Sequence, residues 1–247
     1  MGSDGVHDFH CHLDLMADPA AEYLSRQKYR VTTLAVTTTP RAWQQNMSWA
    51  DGNPWTKPAL GLHPELVEQA HREVGLMLDL MSEAHFIGEI GLDGSPQHAS
   101  SLDLQRRVFR EIVLRAGALG GRVLSIHSRR AATQVLDEIE TCPTRGGVLA
   151  VLHWFSGSAS EFARAISLGC WFSVNGSMLS SARSRSMIEA IPRDVLLIES
   201  DAPLRGGKGD LRSTLSRLSE LLGLPSSEIE AATDANATRL LSCAALA

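Results

Sequence analysis

Eight short apolar, β-branched runs, each followed by a longer stretch, constrain this chain more than anything else in it: residues 6–10, 31–37, 59–62, 86–90, 123–127, 148–153, 171–174 and 195–200. Several are apolar throughout, as expected of parallel strands covered on both faces. Between and after them, residues 64–83, 102–119, 129–140, 159–168, 180–190, 211–222 and 226–241 carry apolar residues at helical spacing with a charged face. Pro225 and Ser226-Ser227-Glu228 supply a start signal for the last. Alternating βα units with right-handed crossovers give either a closed (β/α)8 TIM-like barrel or an open doubly wound sheet. The second alternative finds no GxGxxG turn and no phosphate-binding glycine loop here. The chain's 247 residues match one barrel, with no linker or low-complexity tract to divide them. The expectation is a single barrel domain over residues 1–247.

Composition matters for what it excludes. The net charge of −5 gives no global attraction to nucleic acid, so such a partner would need a local basic patch or a bound cation. The four cysteines form no CxxC pair, and no apolar run is long enough to cross a bilayer. A reduced, cytoplasmic protein without membrane contact is expected.

The downstream ends of the strands carry the chemistry. In a parallel barrel those ends share one face, where active sites form. The first run ends His10-Cys11-His12, whose two imidazoles point the same way and can share an ion, though core or surface histidines also occur at this spacing. Glu89 lies inside the apolar, glycine-flanked Gly88-Glu89-Ile90-Gly91, where a buried carboxylate needs a partner, either a cation or an Arg or Lys. His127 and His153 close the fifth and sixth runs at equivalent places. Asp201 follows the last run, as a ligand or as a turn-capping aspartate. Four histidines and two carboxylates suffice for two ions that share a bridging carboxylate.

Six blocks carry a resemblance: His10-Cys11-His12-Leu13-Asp14, Gly61-Leu62-His63-Pro64, Gly88-Glu89-Ile90-Gly91-Leu92-Asp93, Ile126-His127-Ser128-Arg129, His153-Trp154-Phe155-Ser156-Gly157 and Glu199-Ser200-Asp201-Ala202-Pro203. In order and spread they resemble the TatD-family metal-dependent deoxyribonucleases, a branch of the amidohydrolase-like barrels, with Gln105, Phe109 and Asn236 fitting the same pattern. The resemblance implies a metal-dependent hydrolase that cuts DNA phosphodiester bonds from the 3′ end. His10, His12 and Asp201 would hold one divalent metal ion, His127 and His153 a second, and Glu89 would bridge them. Glu89 and Asp201 would be the catalytic carboxylates, and His63 and Arg129 would bind substrate at the scissile phosphate. The family's habit points to magnesium or manganese, whereas imidazole-rich ligation suits zinc, manganese or iron.

Two departures narrow the resemblance. Gly94-Ser95-Pro96 follows Asp93 where the family carries an aromatic residue, and the segment after the first strand is short. The combination His12-Leu13-Asp14-Leu15, Leu62-His63-Pro64-Glu65-Leu66 and Leu92-Asp93-Gly94-Ser95-Pro96 resembles the TatD-like nucleases encoded with bacterial Qat anti-phage defence systems, which implies DNA (a single-stranded end or short duplex) and proteins of a defence complex as partners. Arg183, Arg185, Arg205 and Lys208 are expected on loops around the mouth, where they could follow a phosphate backbone. Trp43, Trp49 and Trp55 could stack on bases or fill a core. The competing functions are a small-molecule phosphatase, lactonase or amidohydrolase on the same barrel, and a non-catalytic subunit of a defence complex.

Overall fold

A computed structural model of the chain describes residues 6–141, 148–204 and 210–243. Among these, the strands are β1 (Asp8–Cys11), β2 (Thr33–Val36), β3 (Thr56–Ala59), β4 (Phe86–Gly91), β5 (Val123–His127), β6 (Leu149–His153), β7 (Trp171–Val174) and β8 (Leu196–Ile198). Each pairs in parallel with its sequence neighbour from β1 to β3 and from β4 to β8. Two seams close the ring. Leu60 N donates to Phe86 O (2.9 Å) and Gly88 N to Leu60 O (2.8 Å), joining β3 to β4. Asp201 N donates to His10 O (3.0 Å) and His12 N to Ala202 O (2.9 Å), joining the end of β8 to β1. Asp8, fully buried, tightens this second seam by accepting from the backbone N–H and the hydroxyl of Ser200 (2.8 and 2.7 Å). The fold is the expected (β/α)8 barrel.

Side chains along a strand alternate between the barrel interior and the helical layer. On β5, Leu124 and Ile126 join the outer core, while Val123 joins a separate interior cluster with Phe9, Leu34, Val36, Val151, Trp171 and Leu197. That cluster plugs the bottom of the barrel, and Ala237 and Leu240 complete it. They come from the last helix, α10, in the outer ring of α1 (Pro19–Lys28), α2 (Pro40–Trp49), α3 (Val67–Ala70), α4 (Val74–Leu80), α5 (Leu102–Leu119), α6 (Ala132–Thr141), α7 (Ala159–Ser167), α8 (Ala182–Glu189), α9 (Leu211–Leu222) and α10 (Ser226–Cys243). Asn236 anchors α10 by donating to Arg193 O (2.7 Å) and Leu196 O (2.8 Å) at the start of β8.

Four local expectations need correction. The single helix expected over residues 64–83 is broken into α3 and α4, with 3-10 turns before each. His71 explains the break, because its Nδ1–H bonds Glu68 O at 3.0 Å, the carbonyl a continuous helix would give to Arg72. The third strand lies earlier than residues 59–62, since the chain leaves the wall at Gly61. There β2 bonds directly to β4, Thr37 N to Gly88 O and Glu89 N to Thr37 O, both 3.0 Å. A Cβ on Gly61 would stand 1.9 Å from Thr37 O, so this crossing requires glycine. The helices α1 and α2 follow the first two strands unannounced, and Trp43 is core-buried on α2 at 4% exposure. Finally, Arg183 and Arg185 sit on α8 rather than in a loop, while Arg205 and Lys208 lie outside the described residues.

Candidate metal centre

The interior positions of the strands change character towards their C-terminal ends. On β5 the series runs Val123, Ser125, His127; on β6, Val151, His153; at β8, Leu197, Glu199, Asp201. The same two-residue period that builds the apolar plug therefore delivers hydroxyls and carboxylates in the middle and imidazoles at the mouth. On β1 the register slips between Asp8 and Cys11, and His10 and His12 both face the centre.

Glu89 is the hub, 1% exposed, with five imidazoles converging on its two oxygens. Oε2 faces His10 Nε2 (3.4 Å) and His12 Nε2 (3.1 Å). Oε1 faces His127 Nδ1 (2.7 Å), His153 Nε2 (2.9 Å) and His63 Nε2 (3.2 Å). Asp201 Oδ1 completes the first group, 3.8 and 3.7 Å from the same nitrogens of His10 and His12. The five other side chains marked by sequence thus meet around this one carboxylate, divided into two sets.

For four of the five imidazoles a neighbour stands at the nitrogen turned away from Glu89; His12 Nδ1 has no hydrogen-bond partner among the described residues. Ser125 Oγ lies 2.7 Å from His10 Nδ1. Asp93 Oδ2 lies 3.0 Å from His127 Nε2 and leaves Nδ1 for Glu89. Glu199 Oε1 lies 3.5 Å from His153 Nδ1, and Glu199 itself accepts from Ser173 Oγ and Asn175 Nδ2. His63 differs in kind. Its Nδ1 accepts the backbone N–H of Glu65 at 3.1 Å, so the neutral ring carries its proton on Nε2. A protonated Nε2 donates; it has no lone pair for a cation.

The electrostatics follow from burial and crowding. Burial works against the charge on Glu89, but His63, His153 and His10 outweigh it and hold this carboxyl well below the usual range. Burial, with the charges of Glu199 and Glu89, pushes Asp201 up to about 7 against the pull of His153 and His12. Burial and the neighbouring His153 push His10 down to about 4; the two rings stack at 3.9 Å. Burial opposes charge on His153 too, yet Glu89 and Glu199 raise it well above the usual imidazole value.

This donor set fits divalent cations. His10, His12 and Asp201 converge within reach of one ion, as do His10, Glu89 and His153, and also His63, Glu89 and His127. Imidazole nitrogens and carboxylate oxygens in such mixture suit zinc, manganese and iron. A further convergence, Glu65, Asp93 and His127, was not anticipated. Arg129 already brings a cation there, its Nη1 4.0 Å from both Glu65 Oε1 and Asp93 Oδ2. Asp93, Glu199 and Ser125 are residues the sequence reading left without a role. Their available signal was position: Ser125 and Glu199 stand two residues before a ligand candidate, and Asp93 four residues after one, in the turn beyond β4.

Backbone shape serves the same end. Gly91 has φ +131°, and a Cβ there would lie 2.1 Å from His127 O, so β4 can pass this close to β5 only with glycine. Asp201 and Trp154 hold left-handed conformations, φ +51° and +40°; aspartate tolerates this, whereas a bulky aromatic residue does so rarely. Above the centre opens a cavity of about 500 Å³ reached by His63, Glu89, His127, Arg129, His153 and Asp201. His10 and His12, fully buried, lie beneath it. Arg183 reaches the mouth, donating to Gly157 O at 3.0 Å on the loop after β6.

Comparison with known proteins agrees with this architecture. The family described as TatD-related DNase matches residues 7–242. The human deoxyribonuclease TATDN3 is 25% identical over 263 aligned positions, covering 96% of this chain and 94% of that protein. The 3′-5′ ssDNA/RNA exonuclease TatD of Citrobacter rodentium is 28% identical over 216 positions, 80% of this chain and 81% of its own. The crystal structure of YjjV, a TatD homologue from Escherichia coli K12, superposes with a TM-score of 0.81 at 26% identity, covering 95% of this chain and 97% of that one.

Proposed function

Because the chain belongs to the TatD-related DNase family, we propose that it is a metal-dependent deoxyribonuclease that removes nucleotides from the 3′ end of DNA. The observation that carries this reading is the division of Glu89, one oxygen towards His10 and His12 and the other towards His127 and His153. With a carboxylate so placed, His10, His12 and Asp201 would hold one divalent ion and His127 and His153 a second, Glu89 serving both. Magnesium, manganese and zinc are the candidates. When bound, such ions polarise the phosphoryl oxygens and make water more acidic. A single barrel domain over residues 1–247 carries the whole site.

The chain's own groups then divide the work. Asp201 sits at the cavity edge and accepts the proton of the attacking water. The water oxygen bonds to phosphorus as the bond from phosphorus to the 3′ oxygen breaks; that oxygen takes a proton from solvent and leaves as a hydroxyl, Asp201 returns its proton to solvent, and the phosphate stays on the released nucleotide. His63 donates its Nε2–H to a non-bridging oxygen. Arg129, held beside Glu65 and Asp93 with its Nη1 4.0 Å from each, gives two parallel N–H groups to the phosphate and neutralises its growing charge.

A 5′-labelled single-stranded oligonucleotide tests this directly. The enzyme should shorten it to a ladder from the 3′ end in the presence of manganese or magnesium, and Glu89→Gln should not. An intact oligonucleotide alongside turnover of a simple ester or amide would replace the nuclease with a small-molecule hydrolase.

The likeness of His12-Leu13-Asp14-Leu15 and Leu92-Asp93-Gly94-Ser95-Pro96 to nucleases encoded with Qat systems supports a place in anti-phage defence, alongside partner proteins. Equal phage plaque counts with the wild-type gene and with Glu89→Gln would remove that placement. A cytoplasmic location is supported by the free, buried thiols of Cys11 and Cys170.

A further inference from the structure

The cavity above the metal centre is lined by two unlike kinds of residue. Glu89, His127, His153, Asp201, His63 and Arg129 are ionisable. Trp154, Leu15, Leu66 and Leu204 supply its apolar wall, and Leu15 is 43% exposed. Such a wall contributes nothing to holding a cation or a phosphate.

Trp154 is put on that wall by a local distortion. On β6, Leu152 faces the outer core and His153 the centre. Strict alternation would send Trp154 outwards and Phe155 inwards. Instead Trp154 takes φ +40°, and Phe155 enters the outer core, 1% exposed and edge-on to Phe172 at 5.7 Å. With His153 fixed at Glu89 and Phe155 fixed in the core, the indole is left half-buried against the core with a face in the cavity. A bulky residue held in this backbone region costs free energy that the surrounding structure must offset, and such residues cluster where ligands bind.

We propose that Trp154 is the platform on which the base of the 3′-terminal nucleotide stacks while its phosphate is held by Arg129 and His63. Three features select this occupant. The volume of about 500 Å³ falls among pockets that enclose one small ligand, about 300–1,000 Å³. The ionisable lining suits an anion, and the indole of Trp154 offers a flat π-surface to a flat π-ligand. Stacking of this kind accepts all four bases, because each has a π-face, so the site grips any terminal nucleotide without reading sequence. This inference rests on the nuclease reading and specifies how that site holds its substrate.

The test compares two oligonucleotides that differ only at the last position, one with an ordinary terminal base and one with a terminal abasic tetrahydrofuran residue. For the wild-type enzyme kcat/KM should be about 5- to 100-fold higher with the base present, the range that one base–aromatic stack supplies. Trp154→Ala and Trp154→Leu should bring this ratio to within about twofold of one, and Trp154→Phe should retain most of it. A wild-type ratio near one overturns the proposal and requires no variant. So does a Trp154→Ala enzyme that slows equally on both substrates, the result of a purely structural role. If wild type cuts neither oligonucleotide yet hydrolyses methyl 4-nitrophenyl phosphate, the nuclease reading itself fails and the stacking site with it.

Discussion

The two ends of this barrel are made by the same strands and obey opposite rules. At the bottom, Val123, Val151, Trp171 and Leu197 point inwards and meet Ala237 and Leu240 of α10 in an apolar plug. At the mouth, two or four residues further along, the same faces present His127, His153, Asn175, Glu199 and Asp201. The bottom gains free energy by removing apolar surface from water. The mouth gives some back, by burying ionisable groups and by holding Asp201 and Trp154 in left-handed backbone. The contrast implies that stability and chemistry are separable by depth in the barrel, and substitutions at the two ends should fail in different ways.

Glu89→Gln is expected to have the largest effect, a loss of activity of about 1,000-fold or more, since it removes the charge shared by both groups of imidazoles. Metal content by plasma emission should fall with it, while the circular dichroism of the folded protein stays native. Leu240→Ala is the matching change at the bottom. It should cost about 2–5 kcal/mol in urea unfolding and leave manganese stoichiometry and kcat of the folded fraction close to wild type. A centre that loses its metal in Leu240→Ala at full folding would show that the two ends are not independent.

Asp93→Asn sharpens the contrast within the mouth. Asp93 receives His127 Nε2 and the Ser95 N–H, and Gln105 of α5 accepts its backbone N–H at 2.7 Å. Losing the carboxylate should weaken metal affinity or activity about 10- to 100-fold, as substitutions behind metal-ligating histidines do. Calorimetric titration with manganese would register it. An unchanged affinity would make Asp93 a local turn-holder and nothing more.

The smallest effect concerns protons. Asp201 is raised to about 7 without a cation, so below that pH it is protonated and must lose its proton when an ion binds. Metal affinity should therefore fall as pH drops through 7, by up to about tenfold per unit from this group, and level off above it. His153, raised above the ordinary imidazole value, releases a proton on the same occasion. Titrations in buffers of different ionisation enthalpy should show more protons released at pH 6 than at pH 8. At the bottom the comparable group is His7, which burial lowers against the pull of its partner Asp234 on α10; Leu240→Ala removes neither, so its urea stability relative to wild type should change little with pH over this range.

Strongly periodic segments were legible in the sequence. β5, β7, α5 and α9 fall on the expected residues because their apolar period is uninterrupted and their ends are marked, as by Gly120 after α5. Helices α1 and α2 were not, being polar over most of their length; the usable signal was a proline at the first helical position, Pro19 after Asp18 and Pro40 after Thr39. In the centre, the sequence could mark which side chains are able to bind a cation. It could not say which nitrogen each imidazole presents, because that depends on Ser125, Asp93, Glu199 and the Glu65 amide. His63 shows the point: only the bond to Glu65 N separates it, as a donor, from the four other rings. Of the two roles open to the tryptophans after the second strand, base stacking or core packing, Trp43 takes the core, and the indole at the cavity belongs to Trp154.

The departure of β3 from the wall at Gly61 has a geometric result. At the level of Glu89, β2 is hydrogen-bonded directly to β4, so the ring there closes with seven members while lower down it has eight. A barrel narrows as its strand number falls, and this one tapers towards its working end. The taper brings opposite walls close enough for a single glutamate to touch rings from β1, β5 and β6 at once. Transplanting these ligands onto an evenly eight-stranded scaffold would leave the glutamate short of one side or the other.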